Sequence, residues 1–136
     1  MAVSDPALEM LRTMRTIAVV GLSSRKFKPS YGVSAYMQKH GYRIIPVNPL
    51  ETEVLGEKAY ARLEDLTEPV EIVNVFRLPQ YVPGVVESAI RIGAKGVWLQ
   101  LGIEHEEAAQ KARDAGLLVV QDRCILMEHQ RLRSQL

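Results

Sequence analysis

Apolar positions along the chain fall into five short runs, 17–21, 42–49, 70–76, 96–102 and 117–121, rich in Val and Ile and bounded by Gly, Pro or charge. Runs of this length with β-branched enrichment predict buried strands. Between them the apolar period changes to that of a helix. Ala7, Met10, Leu11 and Met14 repeat at i, i+3, i+4 and i+7, behind Ser4 or Asp5 as the start signal and Pro6 in the first turn. Val33, Tyr36, Met37 and His40 form a second stripe closed by Gly41, and Val82, Val85, Val86, Ala89 and Ile90 a third closed by Gly93. The alanine-rich stretch 104–115 places acids in its first turn, as the helix dipole favours, and the tail 123–132 supports a last helix. Residues 50–60 carry glycine and charges and read as a connection, with at most one helical turn over 63–66.

Strands that alternate with helices predict a parallel sheet covered on both faces and built from right-handed crossovers. The fold class expected is therefore α/β: a three-layer Rossmann-type fold with a five-stranded parallel sheet. Its expected strand order is 3-2-1-4-5, although alternation alone does not separate this from 2-1-3-4-5. The 136 residues suit one domain over 1–136, and no repeat, linker or low-complexity tract interrupts it.

Composition narrows the function classes. With 47% apolar and 24% charged residues and a net charge of +1, the chain has an ordinary globular balance and no basic stripe for nucleic acid. No apolar run approaches membrane-spanning length and the first residues lack a signal-peptide profile, so a cytoplasmic protein is expected. The single Cys124 excludes an intrachain disulfide, and His40, His105 and His129 show no metal-ligand spacing.

In an open α/β sheet, ligands bind beyond the carboxyl ends of the strands, beside the switch point next to the first strand. That rule selects 21–30, 47–49, 75–77, 100–102 and 121–124. In the first of these, Gly21 permits close backbone approach. Ser23, Ser24 and Ser30 add neutral donors, while Arg25, Lys26 and Lys28 add charge at the start of a helix, a combination suited to several phosphates. The loop lacks the G-x-G-x-x-G fingerprint. Strand two ends in Asn48 and Pro49 rather than an acid for ribose hydroxyls, which disfavours ordinary NAD binding. Arg77 follows a buried strand, where its guanidinium can clamp phosphate or stack on a purine, or else pair with Glu71 or Glu51. Gln100 ends the fourth strand beside Gly102. Trp98 reads as packing. Cys124 and Glu128 share a helix face with His129 adjacent, but a small buried Cys is the commoner explanation, and no catalytic residue is assigned.

Taken together, the segments 17–23, 46–49, 72–77, 97–102 and 122–124 with Glu128 and His129 resemble the small stand-alone CoA-binding proteins. Their fold is similar to the amino-terminal CoA-binding domain of the succinyl-CoA synthetase α-subunit. The resemblance implies coenzyme A or acyl-CoA as ligand, a nucleotide bound across the carboxyl edge. Gly21, Ser23, Ser24 and Lys26 would hold its pyrophosphate or 3′-phosphate, with Arg25 beside them and Ser30 at the helix start. Asn48 and Pro49 would border the nucleotide or the pantetheine, Val75, Phe76 and Arg77 the adenine, and Gln100 the pantetheine arm. Binding without stand-alone catalysis is expected. A component of a CoA-dependent ligase or transferase acting with a partner chain, or an NAD(P)-binding module, are the alternatives. A homo-oligomer or a protein partner is compatible with either.

Overall fold

Each of the five apolar runs forms a strand in the computed structural model, which describes residues 5–136. In chain order the strands are β1 (Thr16–Val20), β2 (Arg43–Val47), the two-residue β3 (Glu53–Val54) and β4 (Glu57–Lys58), β5 (Ile72–Val75), β6 (Gly96–Leu99) and β7 (Leu118–Val120). All but β3 and β4 join in one parallel sheet. The helices are α1 (Pro6–Thr13), α2 (Pro29–Lys39), α3 (Val82–Arg91), α4 (Glu106–Asp114) and α5 (Ile125–Leu132). The alternation of inward positions divides the core in two. Ala18, Val20, Val73, Val75, Val97 and Leu99 pack under α3 and α4, whereas Ile17, Val19, Ile44, Ile72 and Trp98 pack under α1, α2 and α5. Trp98 is fully buried and its indole N–H donates to Arg123 O at 2.8 Å, which bears out the packing reading. Among the described residues, no helix is long and apolar enough to cross a membrane.

The expected strand order needs correction. The observed order is β2-β1-β5-β6-β7, so the five strands taken in chain order run 2-1-3-4-5 and not 3-2-1-4-5. The reason lies in the connection 50–60, which is not wholly irregular. There β3 and β4 form a small antiparallel hairpin, turned by Leu55 and Gly56 at positive φ. The chain then lays Tyr60 alongside Val47 in a single parallel bridge, where Tyr60 N donates to Pro46 O at 3.0 Å and Asn48 N to Tyr60 O at 2.8 Å. This one-residue bridge occupies the edge that a Rossmann third strand would take. Ile72–Val75, fully apolar apart from Asn74 and buried throughout, goes instead to the sheet centre, where both flanks are paired.

The start of α1 is fixed by side-chain chemistry. Asp5 caps α1, its Oδ1 accepting from Ala7 N at 3.0 Å, and its carboxylate also meets Arg123 and Arg131. The alternative cap Ser4 lies outside the described residues. Beneath this corner, Tyr36 of α2 and His129 of α5 are joined Oη to Nδ1 at 2.8 Å, with the rings of His40 and Tyr42 5.1 and 5.8 Å from that of His129. Burial holds the His129 imidazole below its ordinary pKa of 6.5, and the charges of His40, Arg133 and Arg15 push the same way. Protons are then bound more readily by the unfolded chain, so stability is full above about pH 6.5 and falls as pH drops from there through the lowered native value. Urea midpoints measured between about pH 7 and pH 5 are expected to fall, with a shallower slope in His129→Gln. An equal slope in that variant would assign the acid sensitivity to other groups.

Candidate functional site

The order 2-1-3-4-5 places the switch point between β1 and β5, and Gly21 sits there. Its φ is +91°, its N donates to Val47 O at 2.8 Å, and a Cβ added to it would lie 2.5 Å from Phe76 O. Glycine is thus what lets the exits of β1, β2 and β5 converge. Leu22, fully buried, anchors the next position, and the chain turns outward through Ser23, Ser24 and Arg25.

Hydrogen bonds define the shape of that loop. Ser23 N donates to Ser30 Oγ at 3.1 Å, Arg25 N donates to Ser23 Oγ at 3.1 Å, and Ser24 N donates to Glu51 Oε2 at 2.6 Å. Ser30 is buried, so its hydroxyl acts as a brace between the start of α2 and the loop. Asn48 ties the β2 exit to the same loop: its Nδ2 donates to Leu22 O at 3.1 Å while its Oδ1 accepts from Leu50 N at 3.0 Å. Pro49 follows, exposed on the rim.

Arg25, Lys28 and Arg77 line depressions at the strand ends, whereas Lys26 is exposed in the same loop and lines none of them; among the described residues none of the four makes an ion pair. Neither acid offered as an alternative partner for Arg77 is taken by it. Glu71 accepts from Arg15 N at 2.8 Å and Thr16 N at 3.2 Å, and Glu51 accepts from Ser24 N. Arg77 lays its guanidinium over Tyr81 instead, 4.3 Å from the ring centroid. One depression at the strand ends is lined by Gly21, Asn48, Pro49, Phe76 and Arg77. A second lies across Arg77 toward Tyr81 and Gly102, and a third holds Ser23, Ser24, Lys28 and Glu51. Together they make an open cationic cleft over the carboxyl edge. A separate depression between α3 and α4 is lined by Glu87, Glu106 and Lys111, which lie in the Lys111–Glu87 and Arg113–Glu106 ion pairs.

Besides Ser30, two more of the expected contact residues lie deeper. Val75 is fully buried in the core under α3, so only its backbone reaches the edge. Gln100 is also buried, its Nε2 donating to Asn74 Oδ1 at 2.7 Å. Asn74 stands in register between Val19 of β1 and Trp98 of β6. The sequence signal for it is one amide in an apolar strand. Glu51 enters the sequence reasoning only as an alternative partner for Arg77; its place on the Ser24 amide has no mark in the sequence.

The thiol of Cys124 is half-buried at the start of α5, while the adjacent candidates face elsewhere: His129 toward Tyr36 and His40, and Glu128 toward Arg131 and Arg123. Among the described residues, no group of three or more His, Cys, Asp or Glu side chains is arranged to hold a metal ion.

The profile of the CoA-binding domain family matches residues 15–130. The chain belongs to this family. It is similar to chains of its own size: it is 45% identical over 121 residues to the YneT protein of Bacillus subtilis, covering 89% of this chain and 90% of that one. A solved structure of a Pyrococcus horikoshii OT3 protein superposes with a TM-score of 0.90 at 38% identity, covering 98% of this chain and 99% of the other. The domain is also similar to part of the ADP-forming acetate–CoA ligase of Methanocaldococcus jannaschii, 25% identical over 92 residues, which are 68% of this chain but 13% of the ligase.

Proposed function

We propose that this chain binds coenzyme A, free or acylated, along the carboxyl edge of its sheet. The observation that carries the reading is the loop turned by Gly21 at the switch point, with Arg25, Lys28 and Arg77 lining its depressions and making no ion pair among the described residues, in a chain of the CoA-binding domain family. Phosphates favour such a place because loop amides, a helix start and side-chain cations all act on one small volume.

In this reading Ser23, Ser24, Arg25 and Lys26 meet the phosphates, Asn48 and Pro49 flank the nucleotide, and Phe76 and Arg77 border the adenine. Ser30 and Gln100 act from below, as braces of the loop and of the β6 exit. The absence of an acid directly after β2 removes the usual acceptor for a ribose diol, a feature that suits a ribose carrying a phosphate better than NAD.

Thermal unfolding with and without ligand tests the proposal. CoA at about 100 times its Kd is expected to add ~2.7 kcal/mol of stability, with no comparable gain from NAD at the same concentration. A gain with NAD and none with CoA would overturn it.

A further inference from the structure

Three successive amides of the loop, those of Ser23, Ser24 and Arg25, already have acceptors, and the three are not alike. Ser23 N and Arg25 N donate to hydroxyls of the loop and of α2, neutral groups no more than seven residues away. Ser24 N donates to a full negative charge carried in from the β2 exit, 27 residues along the chain, at 2.6 Å. Glu51 is delivered there by Asn48, whose O accepts from Glu51 N at 3.2 Å while its side chain grips Leu22 O. Although Arg25 and Lys28 line the same depression, the Glu51 carboxylate pairs with neither within 4.0 Å. It rests on the amide, in the manner of a bound anion.

We infer that Glu51 is an internal competitor for the phosphate loop: its carboxylate occupies the Ser24 amide in the free protein and leaves when a ligand phosphate arrives. The inference rests on the proposed binding of coenzyme A at this cleft. One N–H cannot serve two anions, and a carboxylate left beside a bound phosphate repels it. A ligand therefore succeeds by bringing more charge than the residue it displaces. A pyrophosphate, reaching Arg25, Lys26 and Lys28 at the same time, meets that requirement, whereas a single small carboxylate does not. Glu51 thus lowers the affinity of every anion that needs the Ser24 amide, and a ligand with several further charged contacts still binds. The neutral hydroxyl acceptors on either side carry no such charge.

Calorimetric titration of CoA and of inorganic pyrophosphate into the wild-type protein, Glu51→Gln and Glu51→Ala tests the inference. Glutamine keeps an acceptor of the same size without the charge, and alanine removes both. Both variants are expected to bind both probes about fivefold tighter or more at low salt, the factor for relief of one like-charge contact in water-like surroundings. The gain is expected to close at about 0.5 M salt, where the screening length is only a few ångström. Wild-type binding of CoA with unchanged or weaker affinity in the variants would overturn the role of Glu51 and leave the binding proposal standing. No CoA binding by any of the three proteins would overturn the binding proposal itself.

Discussion

Replacing Arg77 with alanine is expected to weaken CoA binding by about 10- to 100-fold while changing stability by no more than about 1 kcal/mol. The affinity figure follows from the loss of one charge-assisted contact, ~1.5–3 kcal/mol. Stability is nearly spared because Arg77 makes no ion pair among the described residues and its guanidinium meets Tyr81 in a partly exposed cation–π pair of about 0.5–1 kcal/mol. An arginine that held the fold would behave in the opposite way. Arg77→Lys separates charge from shape: lysine keeps the cation but loses the planar fork and its stacking, so an intermediate affinity is expected. Calorimetric titration together with thermal unfolding reads both quantities. Unchanged CoA affinity in Arg77→Ala would remove Arg77 from the site, and with it the adenine end of the proposed binding path.

The largest effect on the fold is expected at Gly21. Gly21→Ala sets a Cβ 2.5 Å from Phe76 O, a backbone atom that cannot move without shifting β5, at a φ of +91° where an L side chain is already strained. The strain alone is worth about 1–2 kcal/mol, and the collision raises the expected loss to ~2–4 kcal/mol, a fall in Tm of roughly 10 °C for a chain of this size. Gly41 is a matched control, since its φ is +93° but nothing lies within 4 Å of the added Cβ. Gly41→Ala is expected to lose only the conformational part, about 1–2 kcal/mol. Equal losses at the two positions, measured by urea unfolding, would show that the convergence of β1 and β5 at Gly21 is not the tight contact described. Because the same glycine opens the loop proposed to hold the phosphates, Gly21→Ala is also expected to lose CoA binding out of proportion to its stability.

These two residues show how differently fold and site are legible in the sequence. Gly21 is visible as a break in an apolar run, and Arg77 as a cation directly after one, so their immediate neighbours suffice to assign both to the carboxyl edge. The five strands, the helix stripes and the Gly41 and Gly93 helix ends are equally local, each written within a few neighbouring residues as a period or a stop. The 50–60 hairpin leaves no such mark, because two-residue strands are too short to show an alternation. Val75 and Gln100 lie at the expected strand ends, but a residue's place along a strand says nothing about which layer covers it, and both are buried.

Cys124, Glu128 and His129 illustrate the same limit on a helix. Their spacing predicts a shared face, yet Glu128 answers to Arg131 and Arg123, and His129 to Tyr36, 93 residues earlier in the chain. The partner, not the spacing, decides what each side chain does.

What the sequence determined by itself was therefore the inventory: an α/β chain of five buried strands, their helices, a glycine at the first exit and the cations around it. Periodicity, caps and chain-breaking residues act within one or two turns, so they survive as a one-dimensional signal. The tertiary structure alone decided the order in which the strands pair, the edge bridge at Tyr60, the Asn74–Gln100 amide pair and the seat of Glu51 on the Ser24 amide. Each of these joins groups far apart in the chain, 26 residues for Asn74 and Gln100 and 27 for Ser24 and Glu51. Such contacts are selected by which surfaces the whole core brings together, and neither partner's local sequence records the choice.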